Sequence, residues 1–299
     1  MVAGGQHHPR IQAASFTGSV RAGRALFDIA SSRPRPIPFY GELGSINPVV
    51  VTQAAVAARG ADIATGFAGS FTLSGGQFCT KPGLLLLPAD HRMSDALREA
   101  VDGSPAQPLL NQKIADGYEA RAEELHSAGA EVVASVVGTH EAPGPELLEV
   151  TAEQFLADPD TYGTECFGPT SVVVTYRDDR QLREVLDAVE PSLTVSVQAE
   201  DSDVPRVREL MPALMRLGGR LLWNQWPTGV TVSWAQQHGG PYPATTSPTT
   251  TSVGTAAIDR FLRPVAWQGF PDALLPDALQ EANPWQLPRR VDGRPDASG

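Results

Sequence analysis

Two hydrophobic periods alternate along most of this chain, and together they predict its secondary structure. Short uninterrupted apolar runs, such as residues 49–51 and 84–87, have the composition and length of buried strands. Between such runs, apolar residues recur at helical spacing, as at Met93, Leu97 and Val101, so that they share one helix face. Strands that alternate with amphipathic helices predict an α/β fold with a mainly parallel sheet covered on both faces.

The pattern assigns elements along the chain as far as residue 223. The predicted strands are residues 11–16, 49–51, 84–87, 132–137, 171–176, 194–197 and 221–223. The predicted helices are residues 22–29, 53–64, 93–101, 114–125, 182–189 and 204–214, the last with a bend at Pro212. From residue 224 onward the chain is rich in Gly, Pro, Ser and Thr, which is typical of a docking arm or a loop region.

The charge balance argues against two classes of partner. Lys and Arg number 23 against 34 Asp and Glu in 299 residues, which gives a net charge of −11 at pH 7, and no basic cluster stands out. Nucleic acid and anionic membrane surfaces are therefore poor partners. No apolar run reaches the roughly 18 residues of a membrane span, and the first residues do not resemble a signal peptide, so a cytoplasmic protein is expected.

Cys79 is the residue on which the candidate chemistry is centred. It follows a glycine pair at 75–76 and precedes a Pro-Gly turn at 82–83, and the glycines would let the backbone approach a substrate closely. A nucleophilic thiol and a small buried cysteine both fit these residues. The other cysteine, Cys166, is distant, and two cysteines in a reducing compartment favour free thiols over a disulfide or a structural zinc site.

Glu42 and the histidines are the other residues that bear on chemistry. Glu42 lies among small residues at a strand end, where it is either functional or a solvated loop charge. The histidines are scattered singly, and no spacing among them matches a set of metal ligands. The sequence therefore predicts no metal site.

Four short segments resemble, in order and spacing, the motifs of the aldehyde dehydrogenase superfamily. They are Phe16-Thr17-Gly18-Ser19, Glu42-Leu43-Gly44-Ser45, Gly76-Gln77-Phe78-Cys79-Thr80 and Glu165-Cys166-Phe167-Gly168-Pro169. The tail from residue 224 is similar to the branch that oxidises oxo-acid semialdehydes such as α-ketoglutaric semialdehyde. The resemblance extends over nearly the whole chain but corresponds only to the later part of the family's usual length.

The resemblance implies a role for five residues. Cys79 would attack an aldehyde carbonyl to form a thiohemiacetal, whose hydride passes to NADP⁺ or NAD⁺ and leaves a thioester. Glu42 would be the base that activates water to hydrolyse that thioester. Ser19 would match the pyrophosphate turn, Glu165 would hold the nicotinamide ribose unless it is only a loop charge, and Phe167 would pack beside the nicotinamide. The sequence does not choose between the two nucleotides.

The resemblance also implies that the chain is divided into three parts. Residues 1–44 would be a remnant of a Rossmann-like nucleotide-binding domain, residues 45–235 the thiol-bearing catalytic domain, and residues 236–299 a C-terminal segment for docking and oligomerisation. Because the family's N-terminal portion holds most of the nucleotide site, this N-terminally truncated chain is expected to be inactive alone as a dehydrogenase.

Two alternatives to dehydrogenase activity stay open. One is cofactor-free hydrolysis of esters by Cys79, and the other is a non-catalytic remnant or a complementing half that assembles with a separate N-terminal polypeptide. The expected partners are a small aldehyde substrate and, in a homo-oligomer, further copies of the chain.

Overall fold

A seven-stranded sheet lies at the centre of the larger of two units in the computed structural model, which describes residues 8–295. The larger unit ends at Arg260 and the smaller begins at Phe261. Residues 1–7 and 296–299, which belong to the first and last of the predicted parts, lie outside the described residues. The boundaries predicted at 44/45 and 235/236 stay predictions.

Eleven strands and eight α-helices occur within residues 8–295. The strands are β1 (Ala14–Thr17), β2 (Phe39–Glu42), β3 (Pro48–Val51), β4 (Leu84–Pro88), β5 (Glu131–Ser135), β6 (Glu146–Thr151), β7 (Thr170–Tyr176), β8 (Ser192–Gln198), β9 (Gly218–Trp223), β10 (Arg290–Val291) and β11 (Arg294–Pro295). The helices are α1 (Val20–Ser32), α2 (Gln53–Phe71), α3 (Ser94–Asp102), α4 (Gln112–Ser127), α5 (Ala152–Ala157), α6 (Pro159–Gly163), α7 (Asp179–Ala188) and α8 (Val204–Leu217). Short 3₁₀ turns lie at Leu73–Gly76, Asp201–Asp203, Thr255–Phe261, Asp272–Leu274 and Asp277–Leu279.

The central sheet has the strand order β5-β6-β7-β4-β3-β8-β9. All neighbouring pairs are parallel except β5 and β6, which are antiparallel. Every residue of β4 and β7 is buried. Side chains such as Phe67 of α2 and Leu97 of α3 form the core on one face, and Phe155 of α5 and Leu186 of α7 contribute to the core on the other. The mainly parallel, doubly covered sheet predicted from the sequence is confirmed.

One strand of the sheet is absent from the predicted elements. Strand β6 lies between β5 and β7, but the apolar pattern does not identify it, because Glu149 interrupts its run and the helix-breaking residues 143–145 precede it. Helix α8 is continuous across Pro212, and its apolar face, with Leu210 and Leu214, is buried in the core. The bend at Pro212 stays a prediction.

Asn47 connects loops that meet at the amino end of the sheet. Its side-chain nitrogen donates to the carbonyl oxygens of Cys79 at 3.0 Å and Lys81 at 2.9 Å. Its side-chain oxygen accepts from the backbone and the hydroxyl of Thr194 at 3.1 and 3.0 Å. Asn47 has a left-handed backbone, with φ of 53°, which Asn adopts more readily than most residues. The position of the Cys79 loop is thus held from the start of β3 and from β8.

Lys81 links the Cys79 loop to the chain that enters β7. Its buried Nζ donates to the backbone carbonyls of Cys166, Gly168 and Thr170 at 2.6, 3.2 and 2.8 Å. Burial lowers the pKa of Lys81, and the three carbonyls replace the water that the ammonium has lost. The residue two positions after Cys79 therefore joins the thiol loop to the segment 165–170.

The irregular segment after β9 folds back onto the end of β2. The backbone N–H of Leu43 donates to the carbonyl of Ala244 at 2.8 Å, and Glu42 forms an isolated antiparallel bridge with Thr245. The segment is therefore packed beside the strand end that carries Glu42, as part of the larger unit.

The smaller unit contains the 3₁₀ turns Asp272–Leu274 and Asp277–Leu279 and the antiparallel hairpin of β10 and β11. Within residues 8–295, no helix combines the length and the apolar character that crossing a membrane requires.

We predict that Lys81→Met lowers the free energy of unfolding by about 3 kcal/mol, because three buried carbonyl oxygens lose their donor. Urea denaturation followed by tryptophan fluorescence measures the change. Lys113→Met, at an exposed position of α4, is the matched control and is expected to change it by less than about 0.5 kcal/mol. Equal stability of the two variants would contradict the role given to Lys81.

Candidate functional site

Glu42 ends β2 and is buried, with 5% of its surface exposed. One carboxylate oxygen, Oε1, lies 3.4 Å from Nε2 of His238, and the other accepts a hydrogen bond from the hydroxyl of Ser252. Burial on its own would raise the pKa of Glu42, but hydrogen bonds from His238 and Ser252 outweigh it and lower the pKa below its ordinary value. Glu42 is therefore a buried, ionised carboxylate rather than a solvated loop charge.

Cys79 is half-buried in the loop that follows the 3₁₀ turn Leu73–Gly76. Its Sγ lies 3.4 Å from Nε2 of His238, the same nitrogen that faces Glu42. Burial raises the pKa of the Cys79 thiol to about 12, and the negative charge of Glu42 adds to the effect. At neutral pH the thiol is protonated, so a nucleophilic role requires a group that takes the proton.

The glycine pair before Cys79 allows a close contact within the fold. Gly75 and Gly76 both have left-handed backbones, with φ of 65° and 67°. A Cβ at Gly76 would lie 2.0 Å from the carbonyl oxygen of Gly168. The missing side chain therefore allows the thiol loop to pack against the segment 165–170, and the approach of a substrate to this backbone stays a prediction.

His238 is a residue of the site that the sequence pattern does not predict. It is 3% exposed and lies 159 residues after Cys79, in a segment without a regular helix or strand. No local spacing connects it to Cys79 or Glu42, and only its place beside Gly239-Gly240 in the branch-like tail marks it. Ligand atoms of Glu42, Cys79 and His238 all lie within 4.8 Å of one another, so the structure brings together three residues that could hold a metal ion, although the sequence predicts no metal site.

A second group of predicted residues lines a cavity of about 360 Å³. Ser19 and Glu165 both border it, together with Gly44 and Ser45. Ser19 is the N-cap of the 13-residue helix α1, and its hydroxyl accepts from a backbone N–H of the first turn. Such a helix end attracts phosphate through its free N–H groups and its dipole. Phe167 lies on the same loop as Glu165 but not among the residues that line the cavity.

The carboxylate of Glu165 lies in an environment that disfavours its charged form. Burial raises its pKa to about 7, although the charge of Lys81 and a hydrogen bond from the Ser45 backbone, at 3.4 Å, act in the opposite direction. A Cβ at Gly44 would lie 3.2 Å from its Oε2, so the glycine leaves room for the carboxylate at the cavity wall. A hydroxyl-bearing ligand in the cavity could donate a hydrogen bond to this carboxylate. The residues present therefore fit the ribose and pyrophosphate of a dinucleotide.

The structure thus brings the predicted residues together in two groups. Cys79 and Glu42 meet through His238, and Ser19 and Glu165 meet at the cavity. The two groups are electrostatically linked, because the charge of Glu165 also contributes to the raised pKa of Cys79.

Comparisons with known proteins identify relatives for nearly the whole chain. The aldehyde dehydrogenase family model matches residues 6–263. The α-ketoglutaric semialdehyde dehydrogenase 2 of Azospirillum brasilense is 48% identical over 293 residues, and the α-ketoglutaric semialdehyde dehydrogenase of Acinetobacter baylyi is 41% identical over 296 residues. Each alignment covers 96% of this chain and 56% of the relative, so the chain spans little more than half the length of these relatives.

A solved structure shows the same fold. The chain matches 1-pyrroline-5-carboxylate dehydrogenase from Thermus with bound NAD at a TM-score of 0.67 and 20% identity, over 81% of this chain and 48% of that one. At this identity the match supports the fold alone.

We predict that Glu165→Gln stabilises the protein at pH 8 more than at pH 5. The pKa of Glu165 is raised from 4.5 to about 7, so the folded state keeps a proton that the unfolded state has released. Stability from this group is complete below pH 4.5 and is lost as the pH rises to about 7. Thermal midpoints of variant and wild type at the two pH values measure the difference.

The matched control for this prediction is Glu99→Gln, at an exposed position of α3. Its midpoint relative to the wild type should be the same at pH 5 and pH 8. A Glu165→Gln variant that behaved like this control would contradict a raised pKa at Glu165.

Proposed function

This chain belongs to the aldehyde dehydrogenase family, and from that premise we propose that it carries the thiol chemistry of an NAD(P)-dependent aldehyde oxidation. Cys79 is the nucleophile, and Glu42 is the base that activates water. The observation that carries the proposal is that Sγ of Cys79 and Oε1 of Glu42 both lie 3.4 Å from one imidazole nitrogen, although Cys79 lies in a loop and Glu42 ends β2.

The first half of the reaction forms a thioester on Cys79. A lone pair of Sγ forms a bond to the aldehyde carbon, the carbonyl π electrons move to oxygen, and the thiol proton leaves as the bond forms. Loss of a hydride from the resulting thiohemiacetal carbon produces the thioester. NAD⁺ or NADP⁺, when bound, accepts this hydride.

The second half of the reaction is hydrolysis, for which Glu42 is suited by its charge. Its lowered pKa keeps the carboxylate ionised and ready to accept a proton from water. The hydroxyl of Ser252 binds one carboxylate oxygen, which orients the other toward His238 and Cys79. Attack of the water on the thioester releases the carboxylate product and returns the sulfur of Cys79.

Ser19 and Glu165 are the residues that we expect to hold the nucleotide. The N-terminus of α1, capped by Ser19, would bind the pyrophosphate, and the carboxylate of Glu165 would accept hydrogen bonds from the nicotinamide ribose. Phe167, which shares the loop of Glu165, would pack beside the nicotinamide. Nothing among these residues favours NAD over NADP.

An oxo-acid semialdehyde, such as α-ketoglutaric semialdehyde, is the substrate that we propose. The two relatives of more than 40% identity carry that substrate in their names. Two half-buried or buried arginines support an anionic substrate, because the charge of Arg220 acts on Cys79 and that of Arg260 acts on Glu42. Nε of Arg220 and one terminal nitrogen of Arg260 are buried without a hydrogen-bond partner among residues 8–295.

Cofactor-free hydrolysis of activated esters is a second candidate function. The thiol, the imidazole and the carboxylate all lie on this chain and in its larger unit, so acyl transfer from an ester to water requires no nucleotide. Ester hydrolysis shares the hydrolytic half of the proposed reaction. An assay of ester hydrolysis therefore tests Cys79 and Glu42.

Assembly into a homo-oligomer is also proposed for this chain. Val232 and Trp234, which follow β9, are 69% and 83% exposed, and exposed apolar side chains of this kind are typical of surfaces that pack against another chain. A complementing N-terminal polypeptide remains the alternative partner.

We predict that the protein hydrolyses p-nitrophenyl acetate with an initial burst of nitrophenol followed by a slower steady rate. Cys79→Ser should lose both phases, because no thiol is acylated. Glu42→Gln should keep the amplitude of the burst but lower the steady rate on the order of a hundredfold, because hydrolysis needs the carboxylate as the base for water. Stopped-flow absorbance resolves the two phases.

Cys166→Ser is the matched control, since it removes the other, buried thiol and should leave both phases unchanged. Any NADH or NADPH formed from α-ketoglutaric semialdehyde should likewise disappear in Cys79→Ser and persist in Cys166→Ser. Ester hydrolysis or aldehyde oxidation that survives Cys79→Ser would overturn the proposed function.

A further inference from the structure

The backbone of His238 is held in place by the segment that follows it. Its N–H donates to Oγ1 of Thr251 at 2.8 Å, and its carbonyl accepts from the N–H of Ser252 at 2.8 Å. The hydroxyl of Ser252 donates to the carboxylate of Glu42. One serine therefore fixes both the backbone of His238 and the carboxylate that the imidazole faces.

A single nitrogen of His238 makes both contacts at the site. Nε2 lies 3.4 Å from Sγ of Cys79 and 3.4 Å from Oε1 of Glu42, whereas Nδ1 is buried without a hydrogen-bond partner among residues 8–295. A proton on Nε2 can therefore be shared only with the thiol sulfur or with the carboxylate. This differs from a catalytic triad in which the two ring nitrogens face the nucleophile and the acid separately.

We propose that His238 is a catalytic residue that accepts the thiol proton as Cys79 attacks the carbonyl, and that Glu42 stabilises the imidazolium so formed. The neutral ring that accepts the proton carries its own proton on Nδ1, so the lone pair of Nε2 is free and Nε2 bonds Glu42 only after it has been protonated. The S–H bond breaks, an N–H bond forms at Nε2, and the sulfur lone pair forms the new C–S bond. When water later hydrolyses the thioester, the C–S bond breaks and Nε2 returns its proton to the departing sulfur. Glu42 takes the proton of the attacking water, so each proton has one donor and one acceptor in each half.

The chemistry of the neighbouring groups supports this assignment. The thiol needs a proton acceptor because its pKa is raised, and Nε2 of His238 lies 3.4 Å from its Sγ. An imidazole is the side chain most often used for such a transfer. The charged or titratable groups that face His238 or act on its two partners are Glu42, Cys79, Glu165, Arg220 and Arg260.

The test is the pH dependence of alkylation of Cys79 by iodoacetamide, measured in a Cys166→Ser background without aldehyde or nucleotide. With His238 as the acceptor, the rate should show an inflection well below the pH at which the thiol itself ionises. His238→Gln, which keeps the shape and a hydrogen bond but has no basic nitrogen, should remove the inflection and lower the rate at pH 7 by at least about tenfold. Its remaining rate should rise in proportion to hydroxide.

Rescue of alkylation by exogenous imidazole distinguishes a histidine that accepts the proton from one that only supports the structure. Imidazole in solution should restore alkylation of His238→Ala in a saturable manner, because the deletion leaves space beside Sγ. The control is His140→Gln, which should keep the wild-type profile. His140 is paired with Asp116 and Glu119 and does not belong to the site.

Two results would overturn the role of His238. One is a wild-type alkylation rate that rises in proportion to hydroxide without an inflection, which is informative even if a variant fails to fold. The other is a folded His238→Gln protein with the wild-type profile. The proposal rests on the proposed function in taking Cys79 as the nucleophile, but alkylation involves neither ester nor aldehyde, so failure here is distinguishable from failure of the catalytic assays.

Discussion

Burial of a thiol beside a carboxylate is the constraint on which the site depends. In a desolvated environment two adjacent groups of this kind cannot both be ionised without a large electrostatic cost. The hydrogen bonds given to Glu42 decide which group carries the charge: the carboxylate is ionised and the thiol of Cys79 keeps its proton. The imidazole between them supplies the route by which the proton can leave. The reactivity of Cys79 is therefore a property of the three side chains together, not of the thiol loop alone.

The remainder of the fold holds three distant parts of the chain at this one place. Asn47 joins the start of β3 to the thiol loop and to β8, and Lys81 joins the thiol loop to the segment that carries Glu165. Ser252 holds His238 and Glu42 in common. Asn47 and Lys81 are buried, so removing either one leaves polar partners unsatisfied in a place that water cannot reach. The same contacts that stabilise the amino end of the sheet thereby fix the geometry of the candidate site.

The sequence predicts the repetitive elements of this fold better than the contacts between them. Apolar runs such as 84–87 are long enough to identify buried strands, whereas the charge of Glu149 conceals β6 inside the same sheet. The importance of Cys79 and Glu42 could be inferred from short motifs that resemble a family. The role of His238 could not, because its contacts join positions 159 residues apart and its segment has no periodic pattern. The packing of Gly76 against Gly168 likewise depends on the tertiary structure.

We propose that Cys79 forms the covalent intermediate, and peptide mass mapping of the acylated protein is a direct test. Protein mixed with an activated ester is quenched in acid, digested and analysed for the acyl group. We expect the acyl group on the peptide that contains Cys79 and none on the peptide that contains the buried Cys166. An acyl group on Cys166 or on another side chain, with Cys79 unmodified, would contradict it.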